Sequence, residues 1–244
     1  MIGAQLIAQA LKAQNVSVVF GIVGIPVVEI GEALIASGIK FIAFRNEQAA
    51  SYAASAWGYI TGTPGVCLVV SGPGIVNALS GIVNAKANRW PLVVIGGSCE
   101  TSLELDQVDF CKPHTKFSAK PNSPQHIPSL IQRGFSIATN GVPGAVYLDF
   151  PADYITCDLT SHVQKPLSSW YLNPTTANNE SIHDAAITLL DAKSPLVIIG
   201  KGAAYSRAEN DICELVDLLN IPFLPTPMGK GVVPDSHKLN VSAA

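Results

Sequence analysis

Between residues 2 and 150, short apolar runs without polar alternation are separated by stretches of helical periodicity, and this alternation restricts the fold most. The runs Val16–Phe20, Lys40–Phe44, Val66–Val70, Leu92–Ile95 and Ala145–Phe150 lack the in–out pattern of a strand with one wet face. They read as strands buried on both sides, the signature of a parallel sheet. The intervening segments Ile2–Gln14, Val27–Ala36, 48–60, Ile75–Ala87 and Pro124–Thr139 read as helices. Thr61-Gly-Thr-Pro-Gly65 is turn punctuation, and 97–123 reads as a looser stretch. Tight strand-to-helix turns imply right-handed crossovers. The expectation is an α/β domain built on a doubly wound parallel sheet.

Periodicity lapses after Ala152. Pro166, Pro174 and the Ser-Ser and Asn-Asn pairs mark a connector too long for a loop inside a compact domain. The pattern then resumes with a helix at 181–192, a strand Leu196–Ile199, Gly200-Lys-Gly202, a helix Arg207–Asn220 and a strand Ile221–Leu224. The expected organisation is therefore an α/β domain at 1–155, a linker at 156–180 and an incomplete second α/β domain at 181–244. Two strands and two helices make a small core for an independent domain. Either its remainder lies outside this chain or these residues pack on the first domain.

Composition excludes several functions. With 48% hydrophobic and 14% charged residues, the chain is rich in core and poor in surface charge. A net charge of −3, without any local Lys/Arg cluster, gives no footprint for nucleic acid. No apolar run approaches the roughly 18 residues that span a bilayer, and the start Met1-Ile-Gly-Ala-Gln-Leu6 lacks the basic beginning of a secretory signal. Five scattered cysteines without a CxxC, and five dispersed histidines, point to reduced structural thiols and away from a metal site. An intracellular soluble protein is expected.

Glu47 is the most informative single residue. It follows the apolar run Phe41-Ile-Ala-Phe44, read as a buried strand, and precedes the Ala/Ser-rich helix, so it stands at the carboxyl edge of the sheet where open α/β folds place their ligands. A carboxylate there is either a helix N-terminal charge or a catalytic acid/base. Ser71-Gly-Pro-Gly-Ile-Val-Asn77 also follows a strand and opens a helix, offering close backbone approach and free N–H groups. Asn77 replaces the third glycine of a dinucleotide fingerprint and no ribose-binding acid follows, so NAD is not expected. A plain structural turn is the competing reading, as it is for Gly200-Lys201-Gly202, whose lysine is of the right kind to meet a phosphate. No P-loop is present.

Taken together, Gly21-Ile-Val-Gly-Ile-Pro-Val27, Phe44-Arg-Asn-Glu-Gln-Ala-Ala50 and Ser71–Asn77 resemble, in order and spacing, the thiamine-diphosphate enzymes of the decarboxylase and acetolactate synthase group. Gly21–Val27, Gly200-Lys-Gly-Ala-Ala-Tyr205 and Pro227-Met-Gly-Lys-Gly-Val-Val-Pro-Asp235 look like the 2-hydroxyacyl-CoA lyase branch, with oxalyl-CoA decarboxylase its near relative. The resemblance implies that the first domain binds the aminopyrimidine of thiamine diphosphate. It makes Glu47 the catalytic carboxylate that shares a proton with the ring nitrogen opposite the 4'-amino group. Gly24, Pro26, Gly72, Pro73 and Gly74 become backbone walls near the pyrimidine, and Asn77 a polar contact. Gly97-Ser98-Cys99-Glu100 would line the substrate side, and Lys201 a nucleotide or CoA position.

The implied reaction cleaves a 2-hydroxyacyl-CoA to formyl-CoA and an aldehyde. The alternatives are oxalyl-CoA decarboxylation, or a noncatalytic half-site or dimerising module. In the family, Mg²⁺ and the diphosphate are held by a Gly-Asp-Gly motif and an asparagine in a third domain, facing the pyrimidine domain of another subunit. Gly-Asp-Gly is absent from this sequence. The resemblance thus implies metal ligands outside this chain, a homo-oligomer in the full-length form, and 244 residues that are inactive alone. It also implies a peroxisomal matrix location for a eukaryotic lyase and a cytoplasmic one otherwise.

Overall fold

A computed structural model describes residues 1–99, 105–159, 168 and 176–242. It contains two compact units, Met1–Leu172 and Asn173–Ala244. The first unit alternates as α1 (Gly3–Ala13), β1 (Val18–Gly21), α2 (Val28–Ala36), β2 (Lys40–Ala43), α3 (Glu47–Thr61), β3 (Gly65–Val69), α4 (Pro73–Asn88) and β4 (Leu92–Ser98). It continues with α5 (Gln107–Cys111), β5 (Phe117–Ala119), α6 (Ile127–Thr139), β6 (Ala145–Pro151) and α7 (Ala152–Thr156). The six strands form one sheet in the order β2-β1-β3-β4-β6-β5, parallel throughout.

Strand residues alternate between two apolar layers. Val66 and Leu68 of β3 join the layer formed with α1, α2 and α6. Cys67 and Val69 join the layer formed with α3 and α4, as the two-residue repeat of a strand requires. Where α3 crosses α4 both helices carry small residues, and a Cβ on Gly81 would lie 2.1 Å from Ser51 Oγ. Because each helix follows a strand of the same parallel sheet, the N-terminal turns of α3 and α4 lie at one edge.

The structure corrects the expected strand set in two places. Phe41–Phe44 is apolar enough to suggest burial, yet β2 is an edge strand and its residues are exposed or half-buried. Its neighbours in the sheet, not its composition, set its burial. The looser stretch after residue 97 holds a three-residue strand, β5, that closes the opposite edge against β6. Residues at the start of the expected linker are tied to the chain's beginning: Ile2 bridges Asp158, and Leu159 N–H donates to the Met1 carbonyl at 2.8 Å.

The second unit comprises α8 (Asn179–Asp191), β7 (Val197–Ile199), α9 (Lys201–Tyr205), α10 (Glu209–Leu219) and β8 (Phe223–Pro225), with β7 and β8 paired in parallel. Its core is Ile199, Ala204, Val216, Phe223, Val232 and Val233. Helix α8 buries none of its residues, and Ile198 of β7 is 64% exposed.

Candidate active site at the carboxyl edge of the sheet

The site begins where β2 hands over to α3. Phe44 N–H continues the strand pairing by donating to the Gly21 carbonyl at 2.9 Å. Asn46 then caps α3, its side-chain oxygen accepting from Ala49 N–H at 3.2 Å, which satisfies one of the unpaired first-turn donors. Glu47 is thereby the first helical residue, half-buried at the sheet edge. Below it in β3 is Cys67, fully buried, whose thiol is held well above its ordinary range, first by burial and then by the Glu47 charge.

Helix α4 supplies the second wall. Gly72 is its N-cap at φ 59°, ψ −109°, a backbone setting that side chains rarely adopt, and Pro73 takes the first helical position. One turn on, Asn77 Nδ2 donates to Glu47 Oε2 at 3.1 Å. Glu47 and Asn77, thirty residues apart, are thus joined directly. An open groove of about 720 Å³ along α3 and α4 passes Gln48, Tyr52, Val76, Asn77 and Val83. A second concavity of about 460 Å³, lined by Gln5, Gln9, Glu29 and Glu32 among others, contains none of the expected site residues.

The remaining wall residues converge through packing. Val70, the residue that follows β3, packs against both the loop after β1 and the start of α4: a Cβ on Gly24 would lie 2.9 Å from its Cγ1, and one on Gly74 would lie 2.7 Å from its Cγ2. Both glycines are therefore required by the valine they pack against. Pro26 follows a cis peptide bond and is buried. It lies on the end of β4, where a Cβ on Gly97 would meet Pro26 Cγ at 2.6 Å. Strand β4 runs through Ser98, Cys99 is half-buried, and Glu100 lies outside the described residues. Lys201 is the first residue of α9 in the second unit.

Gln107 has no counterpart among the sequence-based expectations. It is 2% exposed at the start of α5. Its Oε1 accepts from Gly72 N–H at 2.9 Å and its Nε2 donates to the Gly97 carbonyl at 2.9 Å. A single glutamine in an aperiodic stretch carries no sequence signal for this role.

The same chain matches two models of one family. "Thiamine pyrophosphate enzyme, N-terminal TPP binding domain" matches residues 1–119, and the central domain of the same enzymes matches 182–244. Over 250 residues it is 52% identical to 2-hydroxyacyl-CoA lyase 1 of Mus musculus, covering 99% of this chain and 43% of the relative. It is 44% identical to 2-hydroxyacyl-CoA lyase of Arabidopsis thaliana, covering 99% and 45%. It is 38% identical to oxalyl-CoA decarboxylase of Escherichia coli, again covering 99% and 45%. The chain spans less than half the length of these curated relatives. Glu47 at the strand-to-helix junction, the Gly72–Gly74 turn beside it and these matches lead to one assignment: the chain belongs to the thiamine pyrophosphate enzyme family.

Proposed function

We propose that this chain is the pyrimidine-facing part of a thiamine-diphosphate-dependent 2-hydroxyacyl-CoA lyase that cleaves its substrate to formyl-CoA and an aldehyde. The observation that carries the proposal is the Glu47–Asn77 pair at the carboxyl edge, 3.1 Å apart and flanked by the Gly72–Gly74 turn. A ring that must gain and lose a proton needs one oriented carboxylate and close main chain, and this donor set fits that need. The sequence has no Gly-Asp-Gly. In this reading the diphosphate and Mg²⁺ contacts come from outside these residues, and a second copy in a homo-oligomer completes the site.

Each residue then has a task. Asn77 fixes Glu47 Oε2, so the carboxylate keeps one orientation. The other oxygen holds the proton shared with the ring nitrogen. Pro26 and the main chain at Gly24 and Gly72–Gly74 form the wall along the ring and keep water from its edge. When bound, thiamine diphosphate supplies the carbanion chemistry that carbon–carbon cleavage beside a thioester requires. Lys201 is assigned to the phosphates of CoA or of a related nucleotide.

The lyase reading is favoured over oxalyl-CoA decarboxylation by the higher identity to the lyases, 52% and 44% against 38%. The full-length protein, supplied with thiamine diphosphate and Mg²⁺, should release an aldehyde and formyl-CoA from a 2-hydroxyacyl-CoA. Carbon dioxide from oxalyl-CoA at a higher kcat/KM would move the assignment to the decarboxylase. No turnover of either substrate would leave a noncatalytic module. Glu47→Gln should lower turnover by about 100-fold or more, with Tm unchanged or raised. Turnover within a few-fold of the parent would remove Glu47 from the chemistry.

A further inference from the structure

We infer that Gln107 is a positioning residue for the cofactor wall, a role that rests on the function proposed above. Three loops form that wall, following β1, β3 and β4, and no two of them are adjacent in the chain. Gln107 joins two directly and the third through packing. Its amide accepts from the Gly72 N–H and donates to the Gly97 carbonyl, both at 2.9 Å, and Gly97 is the surface on which Pro26 rests. The partners leave only one amide orientation, because an N–H demands the oxygen and a carbonyl demands the nitrogen. No single-headed side chain meets both demands.

The clamp is itself held by further contacts. Asp106 caps α5 by accepting from Asp109 N–H at 3.0 Å. Cys111, at the other end of the five-residue helix, is fully buried, and burial pushes its thiol up to about 12, with the nearby Asp149 charge adding to the effect. Ser118 Oγ donates to the Val108 carbonyl at 2.7 Å, tying α5 to β5. A short helix pinned at both ends thus presents one buried amide to the turn whose N-cap, Gly72, stands at positive φ. Buried donors and acceptors of this kind are expensive to leave unmade. Removing the amide frees the Gly72 turn to find another partner, and the wall moves with it.

The test uses the full-length enzyme with thiamine diphosphate and Mg²⁺ as the probe. Gln107→Met keeps the side-chain length and removes both hydrogen bonds. Gln107→Glu keeps the acceptor for Gly72 but turns an oxygen on the Gly97 carbonyl. Titration calorimetry should give a cofactor Kd raised tenfold or more for Gln107→Met and three- to tenfold for Gln107→Glu. At saturating cofactor kcat should fall while KM for the 2-hydroxyacyl-CoA stays within twofold, a split that general loosening of the fold would not produce. If Gln107→Met fails to fold, Gln107→Glu decides alone. A Kd within twofold of the parent in the folded variant overturns the inference. A parent enzyme that itself fails to bind thiamine diphosphate overturns the proposed function instead, so the two failures are distinguishable.

Discussion

The turns Ser71–Gly74 and Gly200–Gly202 have one pattern in sequence, an apolar strand followed by Gly-X-Gly and a helix, and they differ physically. At the first, Gly72 stands at φ 59°, its N–H is held by a buried glutamine, and Gly74 has no room for a Cβ beside Val70. Sixteen residues of helix follow, joined at Asn77 to Glu47. At the second, Gly200 has φ −112°, a Cβ there would meet nothing within 4 Å, and one on Gly202 would meet only Tyr205 Oη at 3.9 Å. The helix that follows is five residues long. A glycine motif is informative when its surroundings demand glycine, and the demand comes from residues outside the motif.

The contrast can be broken experimentally, and the largest test is functional. Glu47→Gln, beside the first turn, is expected to remove at least about two orders of magnitude of turnover. Lys201→Ala, in the second, should leave kcat within a few-fold and act on KM for the proposed CoA substrate. Equal losses would erase the distinction.

Next is stability, read by urea unfolding. Gly74→Ala forces a methyl group against Val70 and should cost about 1–3 kcal/mol. Gly202→Ala has open space and an ordinary backbone, so it should fall within about 0.5 kcal/mol of the parent or stabilise slightly.

Buried thiols of the first unit sharpen the comparison through pH. Below about pH 9 the Cys111 thiol is protonated in both folded and unfolded chains and contributes no pH dependence. Between the ordinary thiol value and about 12 the unfolded chain releases the proton and the folded chain keeps it. Stability should therefore fall as pH rises through that window, by about 1.4 kcal/mol per pH unit for each such thiol. Cys67, raised further by burial and by Glu47, acts in the same direction. Cys111→Ala should flatten the alkaline limb of a Tm-against-pH curve; an unchanged limb would place the effect elsewhere.

Much of the first unit was legible because its signals are local. The apolar runs around Val66, Leu92 and Ala145 became central strands β3, β4 and β6, and the helical stretches before and between them became α3, α4 and α6 within a few residues. Glu47 was legible because a strand-to-helix junction is marked by composition on both sides. The burial of Phe41–Phe44 was misread, since an apolar run looks the same at the edge of a sheet as at its centre. The strand Phe117–Ala119 was missed because three residues carry no period, and it exists through pairing with β6.

By itself the sequence determined the parallel α/β class, the alternation of elements, the family and the position of one carboxylate, because periods of two and of 3.6 residues and a junction motif are properties of neighbouring positions. Only the tertiary structure decided which strand lies at the edge, that Asn77 meets Glu47, that Val70 packs against both Gly24 and Gly74, and that Gln107 bridges Gly72 and Gly97. Those outcomes depend on the order in which strands pair and on how closely two helices cross. Such distances arise between residues far apart in the chain, and no local pattern encodes them.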